Sequence, residues 1–182
     1  MRRAGTLFLL AALPVCAQFG KPKVTAVASI DQPRFSSDII RSLERDFDRK
    51  LESAGPTPFN TTMGATRGVY IPGYGLVFTA ELDLMVTPAA GGLLNRKFTP
   101  AETAGIHEKK LAQLPLLQQL MRDIVTSTAQ KVDIIPDSEH VVFAVRLWYQ
   151  AFEDQTRLPH QILMTADRKS AMAGQIMEVS SK

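Results

Sequence analysis

Residues 68–86, with the sequence GVYIPGYGLVFTAELDLMV, constrain the fold more than any other part of the chain. Residues 69–71 are β-branched or aromatic and suit a pleated strand. Pro72 has no backbone N–H, so it must end that strand or lie on a sheet edge. Gly73 and Gly75 can adopt the positive φ that a tight reversal needs. The sequence therefore predicts two strands joined by a Pro-Gly-Tyr-Gly bend, in the middle of a sheet.

The second of these strands carries the candidate catalytic residues. Glu81 and Asp83 are two positions apart, so an extended strand places both side chains on one face. Two such carboxylates could serve as acid and base or as metal ligands, and Arg67 and Arg146 could reach them from other strands. The alternative interpretation is a set of salt bridges on a half-exposed sheet surface.

Residues 1–17 have the pattern of a cleaved signal peptide. Arg2 and Arg3 precede an apolar run over residues 4–15, and small residues follow it. The run is shorter than the roughly 20 residues that a membrane-spanning helix needs. An uncleaved anchor is the alternative. We expect a bacterial protein that is periplasmic or secreted.

Cleavage would remove the only cysteine, Cys16, so the mature chain would form no disulfide. It would also remove two of the 21 basic residues and leave 19 against 18 acidic ones. This near-neutral balance argues against a general nucleic-acid binder. No second apolar run is long enough for a transmembrane segment. We expect a loose arm over residues 18–35 and a single domain over residues 36–182.

The periodicity of the remaining chain predicts an α+β fold. Apolar residues at helical spacing follow a capping serine, Ser36 or Ser37, and a longer helical region runs from Pro100 to about residue 130. Pro115 is expected to kink this region or divide it into two helices. Residues 139–149 and 159–165 are strand-like, and residues 175–179 can add another strand. We expect an antiparallel sheet of four or five strands with the two main helices packed on it.

The sequence lacks the common signatures of cofactor and metal sites. The glycines on either side of Tyr74 precede a strand, whereas a dinucleotide fingerprint requires a helix there. His107, His140 and His160 do not have the spacing of a metal site. We therefore expect no cofactor and no bound metal, and we favour a non-enzymatic role over the alternative of a small hydrolase or metal-assisted enzyme that uses Glu81 and Asp83.

Aromatic residues mark two candidate binding regions. The first is the bend, and the second lies at the end of a central strand. Exposed aromatic residues are enriched where proteins meet partners. The alternative is that they cover the ends of the core. We expect a protein partner or a homo-oligomer to bind at these residues: Tyr70, Pro72, Gly73, Tyr74, Gly75, Trp148 and Tyr149.

Two resemblances accompany these patterns. Residues 68–78 resemble a hairpin in uncharacterised exported bacterial proteins, which have no known activity to carry over. The predicted order of helices and strands resembles that of roadblock and longin domains, which are binding modules. That second resemblance concerns architecture alone and implies a binding role by analogy.

Overall fold

A computed structural model describes residues 35–54, 59–61, 64–87 and 97–182. The expected signal peptide and nearly all of the expected N-terminal arm lie outside these ranges. Most of the loop after the predicted hairpin, residues 88–96, lies outside them as well.

The first helix, α1, spans Ser37–Glu52 and begins as the sequence predicts. The Ser36 hydroxyl accepts a hydrogen bond from the backbone N–H of Asp38 at 3.2 Å, which caps an otherwise unpaired donor. Leu43, Phe47 and Leu51 recur at helical spacing and are buried.

The predicted hairpin is present as β1, Arg67–Ile71, and β2, Gly75–Leu82. Gly73 and Gly75 have φ of 78° and 130°, the left-handed region that glycine adopts without strain. A Cβ atom on Gly75 would lie 1.9 Å from the carbonyl oxygen of His140, so that position excludes any side chain. The hairpin is not the middle of the sheet as expected, because β1 forms one edge.

The long helix α2 spans Pro100–Lys131 as one uninterrupted element. Its start is fixed by a capping box, in which Thr99 and Glu102 each accept a hydrogen bond from the other's backbone N–H. Pro115 lies inside the helix and does not divide it into two. No helix within the described ranges has the length and apolar character needed to cross a membrane.

Three further strands and a short helix complete the described fold. They are β3, His140–Leu147; β4, Gln161–Asp167; α3, Arg168–Met172; and β5, Met177–Ser181. The five strands lie in the order β1-β2-β3-β4-β5. The α+β class and the two main helices are as predicted.

The expectation of a purely antiparallel sheet is wrong, because β2 and β3 pair in parallel. The physical reason is the connection between them. A chain that leaves one strand, crosses the sheet as a helix and returns beside the same strand enters in the same direction. Here α2 is that crossover helix. The other strand pairs are antiparallel.

The core lies between the helices and one face of the sheet. The Phe47 ring of α1 packs 4.7 Å from the ring of Phe78 and 5.5 Å from the ring of Phe143, measured between centroids. Leu117 and Met121 of α2 are fully buried in the same cluster. Alternate side chains of β2, β3 and β4 point into this core, so the remaining ones form the opposite face.

Candidate functional site

The two predicted acids have different surroundings. Glu81 lies on the exposed side of β2, where its carboxylate accepts a hydrogen bond from Arg146 at 3.2 Å. Arg67 and Glu81 line a cavity of about 290 Å³ on that side of the hairpin. Glu81 and Arg146 thus form an exposed ion pair with Arg67 nearby, and exposed ion pairs contribute little to stability.

Asp83 is instead 1% exposed and is bound by a lysine of α2. The Lys110 Nζ lies 2.6 Å from the Asp83 carboxylate and 2.5 Å from the carboxylate of Glu153. Both partners are almost fully buried, and Lys110 is 0% exposed. The three residues form a buried charge cluster that joins the end of β2, the helix α2 and the segment after β3. The structure therefore separates Asp83 from the Glu81–Arg146 pair.

Within the cluster formed by Lys110, Asp83 and Glu153, burial has the largest effect on the Asp83 carboxyl. Desolvation raises the pKa of the Asp83 carboxyl, and the hydrogen bond and charge of Lys110 oppose this shift. The Lys110 Nζ also lies 5.2 Å from the centre of the Tyr149 ring, a cation–π contact. The Tyr149 hydroxyl donates a hydrogen bond to the Pro159 carbonyl at 2.6 Å, and burial raises the pKa of this phenol strongly.

Sequence analysis missed Lys110, although a signal for it existed. Lys110 lies four residues from both Ile106 and Leu114, within the apolar stripe of α2. A charged residue in that stripe points toward the core and requires a buried partner. The sequence alone does not show which acids supply it.

The two aromatic regions lie at opposite ends of the sheet. Gly75 pairs with His140 where β2 and β3 begin, whereas the Trp148 backbone N–H donates to the Leu82 carbonyl where they end. Tyr74 and Trp148 are 44% and 43% exposed. The structure therefore does not unite the predicted binding residues into one site.

The other predicted residues of these regions are more enclosed. The Tyr70 ring stacks on Phe35, and its hydroxyl donates to the buried Glu139 carboxylate at 3.2 Å. The backbone N–H of Gly73 donates to the same carboxylate at 3.1 Å. Pro72 and Gly73 lie in the turn itself. Tyr70 and Tyr149 are half-buried, as expected if they cover the ends of the core.

A band of mainly apolar side chains crosses the sheet face opposite the core. One row of paired residues runs Val69, Val77, Val142, Thr165 and Met177. The neighbouring row begins with Arg67 in β1 and continues with Thr79, Ala144, Leu163 and Val179. We call these two rows, together with Ile71, the open face. The core cluster lies on the other side of the sheet, although Val142 in the middle of the open face is itself only 5% exposed.

The open face is most exposed along the two edge strands. Val69 and Ile71 of β1 are 50% and 43% exposed, and Met177 and Val179 of β5 are 62% and 46% exposed. At one end of the face, Tyr74 stacks on His140 with ring centres 5.2 Å apart beside a cavity of about 390 Å³. This arrangement supplies apolar contact surface with an aromatic rim.

The histidines do not converge on a metal site. The Nδ1 atom of His107 lies 2.9 Å from the Asp154 carbonyl oxygen. His160 meets the Tyr149 ring edge-on at 5.5 Å. Among the described residues, no group of three or more histidine, cysteine, aspartate or glutamate side chains is placed to hold a metal ion.

Comparison with known proteins gives no relative from which a function could be transferred. No protein-family model matches the sequence, and neither curated proteins nor solved structures yield a significant match.

Proposed function

We propose that this protein is an exported, non-enzymatic binding module that docks another protein, or a second copy of itself, on the open face of its sheet. The signal-like residues 1–17 are the reason to propose export to the periplasm or beyond. The observation that supports binding is the exposure of apolar side chains on both edge strands, on the sheet face opposite the core.

The continuity of this surface is what favours a docking role. Single exposed apolar residues are normal on soluble proteins and need no explanation. Here the strand register places two exposed residues, Val69 and Met177, at the ends of one row. Val77, Val142 and Thr165 lie between them and are less exposed, with Val142 at 5%. A contiguous apolar surface with polar residues at its border is typical of protein interaction sites. Arg67 and the Glu81–Arg146 pair form such a border at one end.

The enzymatic alternative has weaker support from the geometry. It requires Glu81 and Asp83 to act together, with Arg67 or Arg146 assisting. The Glu81 carboxylate pairs with exposed Arg146, whereas the Asp83 carboxylate pairs with buried Lys110. Acid and base partners must reach the same reacting atoms, so a shared environment is the first requirement. Binding is therefore the function that we propose.

Site-specific photo-crosslinking in the producing cells tests the proposal. A photoreactive phenylalanine analogue replaces Val69 on the open face. The matched control carries the same analogue at Arg45, an exposed position on α1. We expect a discrete protein adduct, of the chain with itself or with another protein, from position 69 and none from position 45. The absence of any adduct from position 69, with normal folding and export, would refute the docking role.

A further inference from the structure

The two edges of the sheet differ in how their free backbone groups are protected. At the β1 edge, the Asp48 and Glu44 carboxylates of α1 each accept a hydrogen bond at 2.8 Å, from the backbone N–H of Thr66 and of Gly68 respectively. Pro72 follows β1 directly and offers no donor. Edge strands are commonly blocked in such ways against pairing with another chain.

The β5 edge lacks a comparable cover from the described residues. The Leu147 N–H donates to the His160 carbonyl, so even-numbered β4 residues face β3 and odd-numbered ones face β5. Val179 pairs with Leu163 and therefore directs its backbone groups inward to β4. By alternation, Glu178 and Ser180 direct their backbone N–H and C=O groups outward. Ser180 is also exposed.

We infer that the chain binds a second copy of itself at this edge, and that the two copies pair antiparallel through their β5 strands about a two-fold axis at Val179. This edge interface goes beyond docking on the open face, because pairing through β5 leaves Val69 on the opposite edge of each sheet, away from the second copy. Each outward-facing Glu178 then exchanges backbone hydrogen bonds with Ser180 of the second copy, and the two sheets become one continuous sheet.

The charges are compatible with this register. Pairing about Val179 places Glu178 opposite Ser180 of the second copy. A register shifted to pair Glu178 with itself would oppose two carboxylates, which is unfavourable. Glu178 is already held by Arg122 and Gln118 of α2, so its side chain lies on the helix-covered side of the sheet. Lys182 would lie diagonal to Glu178 of the second copy, within reach for a long side chain.

The apolar pattern supports the same axis. Val179 projects from the open face and would meet Val179 of the second copy across the axis. The open faces of the two copies would then lie side by side on one surface. The inference thus explains why the valine at the centre of an edge strand remains 46% exposed in the single chain.

Cysteine cross-linking tests the register directly. In this register Val179 of one copy faces Val179 of the other as a pair that shares no backbone hydrogen bonds. The Cα atoms of such a pair lie about 4.5 Å apart. This separation is within the range that a disulfide accepts. In a Cys16→Ser background, we expect Val179→Cys to form a disulfide dimer on mild oxidation. Val69→Cys, of similar exposure on the protected edge, is the matched control and should stay mainly monomeric.

Proline substitution tests the backbone pairing without the need for oxidation. Ser180→Pro removes one outward N–H in each copy, so the dimer loses two hydrogen bonds. We expect the dissociation constant of the dimer, measured by sedimentation equilibrium, to become about 30-fold larger. The melting temperature of dilute monomer should change little, since β4 does not use that N–H. Val179→Pro removes an inward N–H and should lower the melting temperature clearly.

The outcomes separate the inference from the proposed function. Equal cross-linking of Val179→Cys and Val69→Cys, or an unchanged dissociation constant for Ser180→Pro, overturns β5 pairing. A monomeric protein that still forms an adduct with another protein from position 69 overturns the inference and supports the docking function. A monomer that gives no adduct overturns both.

Discussion

Replacing Lys110 with methionine removes a cation that pairs with two buried carboxylates. Its Nζ lies 2.6 Å from Asp83 and 2.5 Å from Glu153, and all three residues are at most 8% exposed. Removal of one partner from such a buried ion pair leaves an uncompensated charge and typically costs about 3–5 kcal/mol. We expect Lys110→Met to lower the free energy of unfolding by about that amount.

The loss of stability in Lys110→Met should depend on pH in a defined direction. Burial already raises the pKa of the Asp83 carboxyl, and Lys110 opposes that shift. Without Lys110 this pKa rises further, so the folded variant holds a proton that the unfolded chain releases. A carboxyl with a raised pKa gains stability as the pH falls, since protonation removes the buried charge. The difference between wild type and Lys110→Met should therefore shrink from neutral pH to about pH 5.

Urea denaturation monitored by circular dichroism provides the measurement. The matched control is Lys109→Met, at the adjacent exposed lysine of α2, which should change stability by less than about 0.5 kcal/mol. The variant that combines Lys110→Met, Asp83→Asn and Glu153→Gln should recover much of the loss, because no unpaired charge remains. A loss below about 1 kcal/mol in Lys110→Met, or a deficit that grows in acid, would refute the reasoning.

Three other substitutions test the local arguments. Burial raises the pKa of the Tyr149 phenol, so the free energy of unfolding should fall above about pH 10, where only the unfolded chain ionises at this residue. Tyr149→Phe should reduce that alkaline loss in unfolding measurements. An equal loss in both proteins would contradict the prediction. Gly75→Ala places a Cβ atom 1.9 Å from the His140 carbonyl oxygen and should lower the free energy of unfolding by about 2 kcal/mol or more. A thermal scan that shows no change would contradict the bend geometry. Thr99→Ala removes one half of the capping box with Glu102 and should cost about 1 kcal/mol by urea denaturation, whereas unchanged stability would mean that the cap is dispensable.

The elements of this fold were largely predictable, because they depend on interactions between residues close in sequence. The Ser36 cap, the buried positions of α1 and the bend at Gly73 follow from local hydrogen bonding and backbone sterics. The class of fold and the presence of two main helices follow from the same periodicities. The periodicities did not predict that α2 continues across Pro115, because tertiary packing can stabilise a helix that lacks one hydrogen bond.

The candidate site was predictable only in part. The sequence places Glu81 and Asp83 two residues apart, and it places Arg146 in another strand. It does not show that β2 ends at Leu82, so that Asp83 no longer follows the alternation of the strand and is buried beside Lys110. Contacts of this kind join residues far apart in the chain, and no local pattern encodes them.

The sequence by itself determined the local elements: where helices begin, where the chain reverses and which side chains favour burial. Only the tertiary structure decided that α2 returns the chain parallel to β2, that Lys110 meets two acids, and that carboxylates of α1 bind backbone groups at the β1 edge. The physical reason is that local structure depends on backbone sterics and neighbouring residues, whereas strand order and buried charge pairs depend on the free energy of the whole packed chain.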